Sequence, residues 1–107
     1  MSGLDNTSYT VRTVTGTTAT ATAQDSVIIF TNAATKTLTL PPVATTQPGR
    51  EYYVICNNTG VLTIDANAAE LINGAATFAV VAGTAGGSTG RAGVVSDGTQ
   101  WFTTYSQ

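Results

Sequence analysis

Thr37-Leu38-Thr39-Leu40-Pro41-Pro42, then Pro48-Gly49-Arg50-Glu51-Tyr52-Tyr53-Val54-Ile55-Cys56, then Asn57-Asn58-Thr59-Gly60-Val61-Leu62-Thr63-Ile64-Asp65: these segments read as three strands separated by two kinds of punctuation. Leu38 and Leu40 alternate with Thr37 and Thr39, the period of a strand with one dry face. Pro41 and Pro42 end it, because proline has no amide hydrogen to give a ladder. Pro48-Gly49 turns the chain into an aromatic and β-branched run. Asn57-Asn58-Thr59-Gly60 tolerates left-handed backbone angles, so the next strand is expected to return as a hairpin. A hairpin is marginal alone in water, so the other segments must cover it.

Working outward, Tyr9-Thr10-Val11-Arg12-Thr13-Val14-Thr15 reads as a first strand and Thr17-Thr18-Ala19-Thr20-Ala21-Thr22-Ala23 as a second, with a hydroxyl face and a small apolar face. Ser26-Val27-Ile28-Ile29-Phe30 is apolar on both faces, as in a strand within a sandwich or at a subunit contact. Residues 66–71 hold good helix formers in too short a run for a free-standing helix. Asn73-Gly74 is a turn pair, and Thr77-Phe78-Ala79-Val80-Val81 is a strand. Residues 82–93, with five glycines, read as a loop. Asp97-Gly98 is a hairpin signal between Val94-Val95-Ser96 and a closing strand from Gln100 to Tyr105. On that last strand Trp101, Thr103 and Tyr105 should share one face and Phe102 the other.

The sum is an all-β fold of about eight short strands, an antiparallel β-sandwich or small jelly roll. The expected core is Val27, Ile29, Leu38, Leu40, Tyr52, Val54, Leu62, Ile64, Phe78, Val80, Val95 and Trp101. Opposite parity leaves Ile28, Phe30, Tyr53, Ile55 and Phe102 in need of cover. Burying each is worth ~1.5–3 kcal/mol, so a contact with other copies of the chain is expected. Residues 1–8 are polar apart from Leu4 and read as an extended arm, ahead of a single sandwich domain over residues 9–107.

The 107 residues suffice for one small core. Charged residues are only 9% against 42% hydrophobic, so Thr, Ser, Asn, Gly and Ala must face water or surface must be hidden against a partner. A net charge of −2 offers no basic footprint for nucleic acid. No apolar run approaches a membrane span and no signal-peptide core is visible, so synthesis in a cytoplasm is expected. Cys56 is the only cysteine and has no partner for an intramolecular disulfide.

Enzyme chemistry finds little support. The chain has no histidine, the commonest general base and a frequent metal ligand. Asp97 and Asp65 have simpler roles at a turn and a strand end. Asp65, Asn67 and Glu70 lack the spacing and glycine of a calcium loop. The glycines of residues 83–90 come without the lysine and helix of a phosphate loop. No enzyme activity, cofactor or metal is expected.

The order Leu38-Thr39-Leu40-Pro41-Pro42, Pro48-Gly49-Arg50-x-Tyr52-x-Val54, Asn57-x-x-Gly60-x-x-Thr63-Ile64-Asp65, Ile72-Asn73-Gly74 and Ser96-Asp97-Gly98-Thr99-Gln100-Trp101 resembles a β-rich module of tailed-bacteriophage structural proteins, over residues 26–105. Such modules occur in small capsid decoration (cement) proteins and in tail fibres. The resemblance implies a homotrimer on the capsid surface of a virion, made in the host cytoplasm, binding the major capsid protein. The alternative is a tail-fibre or receptor-binding head. The expected partner contacts are Leu4, Tyr9 and Arg12, as arm and anchors, with Ile28, Phe30, Tyr53 and Ile55 facing other copies. No nucleic-acid or membrane partner is expected. Ice binding through the Thr-Ala run is a third class, and it needs parallel threonines in register, for which the sequence has no solenoid repeat.

Overall fold

Each turn along the first two-thirds of the chain carries it from one sheet to the other instead of back along the same one. The computed structural model describes residues 10–80 and 90–106. Their strands are β1 (Thr10–Val14), β2 (Thr18–Thr20), β3 (Asp25–Phe30), β4 (Lys36–Thr39), β5 (Glu51–Cys56), β6 (Leu62–Asp65), β7 (Thr77–Val80), β8 (Gly90–Ser96) and β9 (Trp101–Ser106). One sheet has the order β1-β3-β5-β8-β9 and the other β2-β4-β6-β7. The odd and even strands up to β6 thus form three successive windings around one core. Within each sheet the wound strands pair in parallel, β1 with β3, β3 with β5, β2 with β4 and β4 with β6. Antiparallel strands β7, β8 and β9 close the far end.

The all-β sandwich expected from the sequence is therefore present, but its first six strands are not antiparallel. The expected hairpin at residues 57–60 is a crossing between sheets, since β5 pairs with β3 and β8 while β6 pairs with β4 and β7. Left-handed turn residues serve a crossing as well as a hairpin, and Gly60 has φ +90° in either role. The hairpin expected at Asp97-Gly98 joins β8 to β9. Residues 66–71 form no helix; Ala68 takes φ +51° and the Glu70 amide closes a turn on the Asn67 carbonyl at 2.9 Å. The expected loop over 82–93 ends earlier, because β8 begins at Gly90. The arm of residues 1–8 lies outside the described residues.

The core lies between the sheets. Ile28, Phe30, Tyr52, Val54, Cys56, Ala92 and Val94 from the five-stranded sheet meet Leu38, Leu40, Leu62, Ile64 and Val80 from the other, with Trp101 and Ile72 alongside. Tyr52 and Trp101 pack with ring centroids 5.9 Å apart, and the Tyr52 hydroxyl donates to the Thr22 carbonyl at 2.9 Å. On β3 the expected parity is reversed. Ile28 and Phe30 are fully buried and Val27 and Ile29 turn outward, half-buried. Register decides this: Ile28 sits beside Val54 and Phe30 beside Cys56, both inward. Val95 likewise faces outward, between Glu51 and Phe102. Phe78 is half-buried against the core.

Lys36 is the unexpected member of the interior, with no exposed surface. Its Nζ donates to the carbonyls of Asn32 (2.6 Å), Ala34 (2.7 Å), Thr59 (2.9 Å) and Gly60 (3.2 Å). One ammonium thereby ties the crossing after β3 to the crossing after β5. Gly60 makes the approach of those loops possible, since a Cβ there would lie 2.5 Å from the carbonyl oxygens of Ala33 and Ala34.

Candidate functional site

Strand registration gives the five-stranded sheet an outer face of three rows. The middle row is Val11, Val27, Tyr53, Gly93 and Tyr105, one residue from each strand. Beyond it, toward the strand ends at Cys56, lie Thr13, Ile29, Ile55 and Arg91. Toward Glu51 lie Glu51 itself, Val95 and Phe102, with half-buried Ser26 beside them. Large apolar side chains stand open to water here: Val11 is 67% exposed, Tyr53 45%, Phe102 44% and Tyr105 39%. Val27, Ile29, Ile55 and Val95 fill the space between them, half-buried.

Tyr105 belongs to this face because of an irregularity. Between Gly93/Val94 and Tyr105/Thr103 the register shifts by one residue, and a bulge reverses the side-chain alternation beyond it. Trp101 therefore points into the core, while Tyr105, expected on the same side, faces out. Its ring lies 6.4 Å from that of Tyr53, and the Arg91 guanidinium sits over it at 5.9 Å. Tyr53 lies across Gly93, where a Cβ would come within 3.1 Å of the Tyr53 ring and 2.5 Å of the Thr104 hydroxyl. Glycine is thus the floor that lets the Tyr53 ring settle against the sheet. Glu51 accepts a hydrogen bond from the Thr104 hydroxyl at 3.0 Å. Ser26, Val27, Glu51 and Tyr53 line a cleft of about 340 Å³ at this end.

The outer face of the four-stranded sheet has the same geometry and different chemistry. Thr18, Thr37, Thr63 and Ala79 stand in one register row, and Thr20, Thr39, Asp65 and Thr77 in the next. The parallel in-register threonines that the sequence does not announce by any repeat are present, three abreast in one rank and two in the next, where β6 carries Asp65. At ~4.8 Å between strands and ~6.7 Å between ranks they cover a patch only about 10 Å by 7 Å.

Of the residues expected to touch partners, Tyr53 and Ile55 lie on the outer face of the five-stranded sheet. Ile28 and Phe30 do not; they are sealed in the core and cannot reach another chain. Arg12 points inward from β1, pairs with buried Asp25 at 2.9 Å and donates to the Thr20 carbonyl at 2.9 Å. Leu4 and Tyr9 lie outside the described residues. The sequence reading placed Val27, Ile29 and Val95 in the core and missed Val11 and Tyr105; only strand pairing and the bulge reveal them.

Polar groups elsewhere are occupied in holding loops. Both Glu70 carboxylate oxygens accept from the Val43 amide, at 3.0 and 3.1 Å. Arg50 donates to the carbonyls of Ala23, Asp25 and Glu51 and covers the Tyr52 ring at 4.1 Å. The Asp97 carboxyl is held below its usual range by the backbone amide of Gln100 and next by that of Thr99. Among the described residues no three of Cys, Asp and Glu gather where a metal ion would sit, and no helix is long and apolar enough to cross a membrane. A scan against protein-family models finds no match, and a search of curated proteins returns no relative.

Proposed function

We propose that this chain is a structural subunit of a phage particle, a capsid decoration protein that associates with copies of itself and grips the assembled shell. The observation that carries the reading is the contrast between the two outer faces. Strand propensity is served equally by Thr and by Val, which have nearly the same shape. One sheet shows threonine to water; the other shows Val11, Val27, Ile29, Tyr53, Ile55, Phe102 and Tyr105. An apolar face kept where threonine would serve points to a covering partner. The order of motifs that resembles phage structural modules supports the setting of this reading, a virion surface, with the major capsid protein as the larger partner.

The test is co-sedimentation of the purified full-length chain with emptied shells of the cognate phage. Saturable retention, and shells that survive higher temperature when loaded, are expected. A chain that stays in the supernatant at every ratio overturns the decoration role. A receptor-binding head is the second reading, favoured by the cleft beside Tyr53, where an aromatic ring adjoins the Glu51 carboxylate and the Ser26 hydroxyl. It predicts retention on host-cell envelopes instead of on shells.

A further inference from the structure

We propose that the partner covering the five-stranded sheet is a second copy of the same sheet, packed face to face about a two-fold axis along the row Val11–Val27–Tyr53–Gly93–Tyr105. This rests on the self-association part of the functional reading, replaces the three-fold association that the resemblance implies with a two-fold one, and is independent of the shell.

The argument is the symmetry of the face. An isologous contact needs a surface complementary to itself after a half-turn. A half-turn about the middle row leaves that row facing its own copy and exchanges the two flanking rows. The middle row is apolar and aromatic throughout, so it can meet itself without stranding a charge. The flanking rows carry opposite charges: Glu51 in one and Arg91 in the other, on the paired strands β5 and β8. They stand four residues apart along the strand direction, about 13 Å, and one strand apart, ~4.8 Å. After the half-turn, Glu51 of each copy comes over the row that holds Arg91 of the other, one strand away and within reach of both long side chains. The pairing is made twice, once at each end, and like charges never meet. Both groups are already steered on the free surface, Glu51 by the Thr104 hydroxyl and Arg91 by the Tyr105 ring.

Area agrees. Five strands at ~4.8 Å and about five residues at ~3.4 Å give a face of roughly 24 by 17 Å. With side-chain relief a pair buries on the order of 1,000 Å², the lower bound for a specific interface. A reversible dimer with a dissociation constant in the micromolar range is therefore expected, instead of a permanent one.

The test is sedimentation equilibrium on the full chain, with a monomer mass of 10.9 kDa, from about 1 to about 200 µM, a range chosen to bracket micromolar dissociation. Wild type should pass from monomer to dimer. E51R and R91E should each weaken the dimer about tenfold or more, and the double variant E51R/R91E should return to within about threefold of wild type. Melting curves confirm that each variant is folded, and T37R on the opposite sheet should leave the dimer unchanged. Monomer at every concentration, a trimer, single reversals without effect, or a double variant no better than the singles overturns the two-fold arrangement. Loss of the dimer in T37R overturns it as well. Retention on phage shells is read separately, so failure of this dimer and failure of the decoration role are distinct outcomes.

Discussion

Replacing Lys36 by methionine tests what the buried ammonium does. Methionine keeps most of the unbranched stem and removes the three donors. Four carbonyls then lose the ammonium: those of Ala34 and Thr59, on exposed residues that water can reach, and those of Asn32 and Gly60, on half-buried residues, Gly60 keeping only the weak Cys56 thiol at 3.5 Å. Counting only Asn32 and Gly60, at ~1–3 kcal/mol each, gives a loss of roughly 2–6 kcal/mol, with the remaining thiol placing Gly60 toward the low end. Release of the ammonium from its own desolvation, several kcal/mol in a dry site, is offset in the native protein by the bonds themselves and trims the upper end. The expected loss is about 3–4 kcal/mol, a large share of the ~5–15 kcal/mol that holds a domain of this kind together. At about 4 °C per kcal/mol for this chain length, Lys36→Met should melt ~12–16 °C lower than wild type. Urea unfolding at 25 °C should show the midpoint falling with an unchanged slope, since the surface exposed on unfolding is the same. A variant that loses less than about 1 kcal/mol, or gains stability, refutes the reasoning, because buried charges are often replaced by apolar groups at no cost.

Three further outcomes follow from particular residues. Gly60→Ala should cost more than Gly49→Ala. Both glycines have φ near +90°, but a Cβ at 49 meets open space while one at 60 meets two backbone carbonyls; strain alone is ~1–3 kcal/mol, and paired urea titrations give the difference. Asp97 has a carboxyl pKa below its unfolded value, so its contribution is present above about pH 4 and fades as pH falls through the native value. The melting difference between wild type and Asp97→Asn should therefore shrink on acidification, and a difference that grows would contradict the assignment. Gly93→Ala should push the Thr104 hydroxyl and the Tyr53 ring off the sheet; intrinsic tyrosine fluorescence and the dimer constant should both change, and an unaltered dimer would show that the seat of Tyr53 does not matter.

The existence of the strands was legible because each is short, bounded by turn residues and rich in β-branched side chains. Their direction was not. Asn57-Asn58-Thr59-Gly60 supplies the same backbone freedom to a hairpin and to a crossing, and only the partner strands distinguish them. Ser26-Val27-Ile28-Ile29-Phe30 is apolar on both faces, so its parity had to come from the register with Val54 and Cys56. The Tyr105 face depends on a bulge that leaves no mark in the sequence. Lys36 did leave one: it shares the parity of Leu38 and Leu40, an inward position that lysine takes only when something awaits its ammonium. The waiting carbonyls come from two separate loops, and nothing local announces them.

The way the fold treats its edges narrows how it can associate. A sandwich of wound strands has an open side at its first winding, where edge strands β1 and β2 could each accept another chain. Here β2 has only three residues, and Arg12 reaches across to bond the Thr20 carbonyl. The ladder from β2 to β4 runs through Thr17 and Ala21, which leaves the Thr20 carbonyl on the outer rim, so Arg12 blocks the place where a new strand would dock. At the opposite edge of the five-stranded sheet, Asn73 lies along β9, its amide oxygen accepting from the Thr103 amide at 3.0 Å and its amide nitrogen donating to the Thr103 hydroxyl at 2.9 Å. The Asn73 backbone amide takes the Trp101 carbonyl at 3.0 Å, and the Trp101 amide takes the Leu71 carbonyl at 2.9 Å. Inward-pointing charge, a very short edge strand and a side chain laid over the ladder are all devices against pairing by strand addition. With those edges guarded and the outer face of the four-stranded sheet rich in hydroxyls, the apolar face over β1, β3, β5, β8 and β9 is, among the described residues, the broad surface that gains most from being covered by a copy of the chain. Association through faces is reversible and leaves each fold intact, as the proposed role of a decoration subunit would require.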